Sequence, residues 1–256
     1  MSGPVDGRTV ADVVATMDER LEQLESPSGA GRSAQRDFLA TYRRTTLAVG
    51  RAVEEARFED PDWVERWDVV FADLYLDALD ADLTGTGTVT RPWRLAFDVP
   101  DGLPALRNVL AGINAHVNYD LPQALLADID DADFEDPHLL ARRRRDHERI
   151  DAVLAGRVAA EDAELASTSG RTLLDRVLVP ANRGASRRFL REARQKVWHN
   201  TAELQRARLA GADAYATRLA ELEVLSAARV ADLLAPGQVL LRLAVAGFGV
   251  TLPPAA

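Results

Sequence analysis

An all-α, single-domain helical bundle is the fold class this sequence predicts, on three observations. Ala and Leu dominate, β-branched runs are short, and apolar residues recur at spacings of three and four rather than in alternation. A length of 256 residues with 47% hydrophobic content suffices for one large core. Neither a fixed-period repeat nor a dividing linker is visible, so one domain is expected over 1–256, with 1–8 as a disordered tail and about eight helices in all.

The elements follow in order. Thr9 is an expected N-cap for a first helix through "VADVVATMDERLEQLE", which places Val10, Val13, Val14, Met17, Leu21 and Leu24 on one face. "SPSGAGRS" ends it, a second helix spans about Ala34 to Arg57, and a third starts near Asp62 and runs through "WVERWDVVFADLYLDALDADL". Gly85, Gly87 and Pro92 then predict a long loop or short hairpin near residues 84–100, with Trp93 and Phe97 to pack it down. A fourth helix covers about Pro104 to Leu126, and Pro122 predicts an end or kink near Leu121 because its ring clashes with the preceding turn. Further helices are expected over Pro137 to Ala166, Gly184 to Leu209 and Asp213 to Leu234, with a short element at Thr172 to Val179. The closing "GQVLLRLAVAGFGV" is apolar on most faces and reads as a buried helix or a homodimer seam; peripheral membrane contact or a lid on an apolar cavity is the functional alternative.

Composition removes several function classes. Forty acidic against thirty-one basic residues give a net charge of -9, which disfavours a nucleic-acid partner. The "RRRR" run at Arg142 to Arg145 reads as a solvated helix face paired with Asp130, Asp131, Asp133, Glu135 and Asp136. With no cysteine, disulfides, zinc–thiolate sites, iron–sulfur clusters and cysteine nucleophiles are excluded. Lys196 is the sole lysine, which removes Schiff-base and P-loop chemistry from nearly every position. No Gly-rich phosphate loop appears, so no nucleotide cofactor is expected. No secretory signal and no stretch of roughly eighteen apolar residues is seen, so a cytoplasmic protein without a transmembrane segment is expected.

Chemistry concentrates in "LAGINAHVNYDLPQALL", Leu110 to Leu126, where Asn114, His116, Asn118 and Asp120 interrupt a core-like helix. Burying an unpaired polar group costs roughly 1 to 3 kcal/mol, so four within seven residues need an organised reason. His116 and Asp120, four apart, fall about 40° from each other on a helix and can reach one point. The third helix offers Asp73, Asp77 and Asp80, the fifth Asp146, His147 and Asp151, and a later one His199 and Glu203. Paired Glu-x-x-His motifs of di-iron bundles and the "DDxxD" of terpene cyclases are absent.

The blocks "WDVVFADLYLDALDA", "RPWRLAF", "LAGINAHVNYDLP", "DHERIDAVL" and "RFLREARQKVW", in this order and spacing, resemble an uncharacterised bacterial family catalogued as domain of unknown function 5995. Its hallmark is similar to Gly-x-Asn-Ala-His-Ile-Asn-x-Asp-Leu, and the resemblance covers most of residues 9–250. It implies that Phe71, Tyr75, Asp77 and Ala78, then Trp93 and Phe97, then Gly112, Asn114, His116, Asn118 and Asp120, then Asp146, Arg149 and Ile150, then Arg194 and Trp198 fit the shared pattern. His147 and His199 lie outside it. The family has no assigned reaction, so no mechanism is transferred.

The expectation is a small-molecule enzyme with a His/Asp site between helices, acting on a largely apolar substrate. In a metal version, His116 and Asp120 with one or both of Asp77 and Asp146 hold a divalent ion for hydrolysis. In a metal-free version, suited to a lyase, isomerase or cyclase, His116 is the acid or base, a carboxylate orients it, and Tyr75 and Arg194 stabilise negative charge. Trp93, Phe97, Asn114, Asn118 and Trp198 are the expected substrate-binding residues. The rival expectation is a non-catalytic ligand-binding or scaffold bundle in which the motif is a structural polar network.

Overall fold

The structure is a computed structural model that describes residues 7–99, 105–166 and 183–235, and every described element is helical. The first is α1, Val10–Glu25. Thr9 caps it: its hydroxyl accepts the Asp12 N–H while the Asp12 carboxylate accepts the Thr9 N–H, a reciprocal capping box. Val10, Val13, Val14, Met17 and Leu24 of the expected face are buried, and Leu21 packs at its margin. After a 3-10 turn, Pro27–Gly29, come α2, Ser33–Glu54, and α3, Pro61–Thr84, which Asp60 caps and Gly85 ends in the left-handed conformation at φ 67°.

Residues 84–100 depart from the loop or hairpin expectation, because Arg91–Phe97 form a short helix, α4. Pro92 lies in its first turn, where a missing N–H costs nothing. Glu223 of a later helix accepts the Arg91 N–H at 2.8 Å. Trp93, Ala96 and Phe97, at helical spacing, are all buried. Burial worth about 1.5 to 3 kcal/mol per large side chain outweighs the turn signals of two glycines that lie before the helix begins.

The expected fourth helix is broken earlier than Leu121. It consists of α5, Ala105–Ala115, a π-turn, His116–Asp120, and α6, Leu121–Asp128. Pro122 explains the break. Its ring would meet the carbonyl four residues back, and it cannot donate to the ladder; widening one turn, so that Leu121 N–H bonds His116 O, removes the conflict without ending the helix. The chemistry-bearing residues therefore lie on the widened turn itself.

The remaining elements are α7, Asp131–Glu135; α8, Pro137–Ala166; α9, Arg183–Ala210; and α10, Ala212–Leu234. Residues 1–6 of the tail expected over 1–8, the element at 172–179 and the closing apolar segment 237–250 lie outside the described residues, while Arg8 of that expected tail is described and pairs with Asp73. α1 packs on α2 and α3, α2 on α5, and α3 on α6, while α10 packs on α4, α5 and α9. α5 comes so close to α2 that a Cβ on Gly112 would lie 2.3 to 2.9 Å from the Phe38 ring. Among the described residues no helix is long and apolar enough to cross a membrane.

The arginine run pairs differently from expectation. Arg142 and Arg143 bond Asp60, and Arg145 bonds Glu59, so the run fastens α8 to the α2–α3 connection; only Arg143, 3.9 Å from Asp133, also reaches the expected acidic segment.

Candidate functional site

The π-turn brings His116 and Asp120 together: His116 Nδ1 lies 2.8 Å from Asp120 Oδ2. The same oxygen accepts the Trp93 indole N–H at 2.8 Å, so α4 reaches across 27 residues to the turn. Both residues are 2% exposed. Two donors on one oxygen leave Oδ1 without a hydrogen bond among the described residues. Oδ1 is also absent from the fully enclosed polar atoms that lack a partner, while Nε2 of His116 is one of them.

Burial sets the electrostatics. It raises the Asp120 carboxyl above the ordinary carboxylate range, with His116 and Trp93 pulling the other way. It lowers the His116 imidazolium below the ordinary histidine value, against the pull of Asp120. We assign the neutral tautomer with the proton on Nδ1, donated to Oδ2, because the alternative leaves an N–H without an acceptor at Nε2.

Aromatic rings enclose the imidazole. Phe71 of α3 stacks on it, centroids 3.5 Å apart and planes 5° from parallel, and Tyr42 meets it edge-on at 4.6 Å. Phe38, Tyr75 and Trp93 complete the box at 6.0, 5.9 and 5.7 Å. His116 thus faces core on every side but that of Asp120.

Asp120 instead reaches an open cleft of about 570 Å³ between the second half of α3, the 85–90 connection and the start of α6. Asp77 and Asp80 line one wall, Thr84, Thr86, Gly87, Thr88 and Thr90 the rim, and Tyr119 and Gln123 the other wall. His116 does not line the cleft. The dyad is a two-layer arrangement: carboxylate in front, imidazole behind.

A family model described as "Family of unknown function (DUF5995)" matches residues 10–236. The chain belongs to that family. No curated protein and no solved structure matches it. The match spans every described helix of this DUF5995 chain, the π-turn and both walls of the cleft included.

The other expected site residues are dispersed. Asp77 shares the cleft with Asp120. Tyr75 and Phe97 are core: Trp93 packs between them at 4.9 and 5.2 Å, and none of the three lines the cleft. Asn114 and Asn118 donate to carbonyls of their own helix, Leu110 O at 2.9 Å and Asn114 O at 3.0 Å. Asp146 is held elsewhere, accepting the Glu59 and Asp60 N–H groups at 2.8 Å each and the Arg149 guanidinium at 2.7 Å. Trp198 packs against His147, 5.8 Å away, with Arg144 over its ring. The side chain of Arg194 lies outside the described residues.

No group of three or more His, Asp or Glu side chains among the described residues is placed to hold one metal ion. The expected four-residue set fails to assemble because Asp146 serves the far end of α3 and His116 is walled in. Sequence reasoning missed Tyr119, Gln123 and the threonine rim. Tyr119 lies inside the conspicuous motif, and the alternating threonines of "TGTGTVT" were the available signal for the rim.

Proposed function

We propose that this chain is a small-molecule enzyme in which Asp120 transfers a proton to or from a substrate bound in the cleft. One observation carries the reading: Oδ2 is occupied by two donors, so the free lone pairs and any carboxyl proton belong to Oδ1, in a residue that lines the cleft. A carboxyl raised by burial is suited to general acid–base work, since it carries a proton nearer neutral pH than an exposed one. His116 is a positioning residue: its Nδ1–H fixes the carboxylate and offsets part of the burial cost. The lining of carboxylates, threonines and Gln123 suits a polar substrate rather than an apolar one. The π-turn fits such a role, because widened turns recur where a helix presents a functional side chain.

The test is turnover in a complex mixture. The purified protein is incubated with a metabolite extract and its composition followed by mass spectrometry, beside Asp120→Asn and His116→Gln. The reading expects compounds consumed by the wild type and spared by Asp120→Asn, and a pH–rate profile that moves in His116→Gln. An inert wild type, or equal consumption by Asp120→Asn, overturns it.

A second reading is a non-catalytic ligand-binding bundle, favoured by the aromatic enclosure of His116. On that reading a ligand binds the cleft and nothing is consumed.

A further inference from the structure

We propose that the cleft recognises an organic ammonium, a small extended amine held between Asp77 on one wall and Asp120 on the other; this rests on the reading that the cleft is where substrate enters. The first argument is charge. Among the described residues, three carboxylates, of Asp77, Asp80 and Asp120, line the cleft, and no arginine or lysine does. Asp80 is already matched by Arg20, whose Nε and Nη2 bond it at 2.6 and 3.0 Å. Asp77 is exposed and has no ion pair among the described residues; the nearby Arg8 is engaged by Asp73.

Hydrogen-bonding capacity is also unmet in residues of the lining. Asp120 is 2% exposed yet lines the cleft with one oxygen unbonded. Thr90, also of the lining, has an enclosed hydroxyl with no partner. A buried carboxylate without a full set of donors is costly, and an ammonium brings three N–H donors and the opposite charge.

The third argument separates an amine from a metal ion. Among the described residues, Asp77 and Asp120 belong to no three-ligand group close enough to converge on one ion. Carboxylates spread across a cleft of about 570 Å³ match charge and donors distributed along a short chain. Burial first, and then the like charge of Asp80, push the Asp77 carboxyl up, with Arg8 pulling the other way, and a bound cation offsets the like-charge part.

The probe is 1,4-diaminobutane, with 1,4-butanediol as the neutral molecule of similar shape, titrated calorimetrically into the wild-type chain at low salt. Asp77→Asn removes an exposed carboxylate without touching the core, and Glu148→Gln on α8 serves as a distant carboxylate control. The proposal expects saturable binding of the diamine, at least fivefold weaker in Asp77→Asn, unchanged in Glu148→Gln and weakened by added salt, with no heat from the diol. It is overturned if the diamine does not bind, if the diol binds equally well, or if Asp77→Asn binds the diamine as tightly as wild type. Turnover that depends on Asp120, without amine binding, removes this inference and leaves the catalytic reading; amine binding without turnover does the reverse.

Discussion

Trp93 donates its indole N–H to Asp120 Oδ2 at 2.8 Å, and that bond decides which oxygen of the carboxyl is left for the cleft. Trp93→Phe keeps most of the ring volume and removes the donor. Because both groups are buried, the expected loss is about 1 to 3 kcal/mol, read as a lower urea midpoint. The Asp120 carboxyl, having lost one stabilising donor, moves further up. An unchanged midpoint would show that the indole bond does not form in solution.

The imidazole should resist protonation. Burial lowers the His116 value, so it stays neutral through and below the pH at which an ordinary histidine near 6.5 becomes charged. Nitrogen-15 spectra of the ring expect a protonated Nδ1 and a bare Nε2 from pH 8 to 6. Since the folded value lies below the unfolded one, folding excludes this proton, and its stabilising contribution, full above the unfolded value, is lost as pH falls from there through the folded value. A His116 resonance that titrates at or above 6.5 would rule out the assigned dyad.

How far the site could be read before the fold was known follows from these two residues. His116 and Asp120 lie four apart in one segment, so their meeting is local and visible in the spacing. The helix starts, Thr9 with Asp12 above all, are equally local, and so is the break that Pro122 imposes. Direction was not legible. Whether His116 or Asp120 faces solvent depends on Phe38, Tyr42 and Phe71, which α2 and α3 bring from 45 or more residues away. Asp146 shows the same limit: sequence spacing cannot reveal that two backbone N–H groups of the α2–α3 connection claim its carboxylate. Pro92 and the glycines before it concealed α4 because turn residues and a helix's first turn share the same alphabet.

Asp68 makes stability depend on pH in the opposite sense to an ion-paired acid. Its carboxyl is buried on α3 with Oδ2 unpartnered, and burial, with Glu65 adding to it, pushes it up to about 7. The folded chain therefore holds a proton that the unfolded chain, at its ordinary 3.8, releases, so stability falls as pH rises from about 4 to about 7. Three pH units correspond to at most about 4 kcal/mol. Asp68→Asn should flatten the curve over that interval and raise the midpoint at pH 8. A wild-type denaturation series that is flat from pH 4 to 7 contradicts the raised value.

Gly112 tests the α2–α5 approach. A Cβ there meets Phe38 ring carbons at 2.3 to 2.9 Å, so Gly112→Ala must displace the ring that forms one wall of the His116 box. Overpacking of this kind costs typically 1 to 3 kcal/mol, about the scale expected here despite alanine's better helix propensity. Adding Phe38→Leu makes room, and the double variant should lose less than the two single losses combined. Additive losses would place the ring away from Gly112.

Asp146 separates a structural carboxylate from a site residue. It is fully buried, accepts two backbone N–H groups at the start of α3 and pairs with Arg149, so Asp146→Ala leaves two backbone donors without their acceptor, while Arg149 keeps Glu59 at 2.8 Å. Leaving a buried donor without its acceptor costs about 1 to 3 kcal/mol, and Asp146→Asn, which keeps one carbonyl oxygen, should lose less than Asp146→Ala. The connection at 55–60 should become the first point of proteolytic cleavage in Asp146→Ala. Ligand binding in the cleft should persist in Asp146→Asn once allowance is made for the folded fraction, because the cleft lies at the other end of α3. If Asp146→Asn instead keeps full stability and abolishes binding, Asp146 belongs to the site and the division drawn here between the two ends of α3 is wrong.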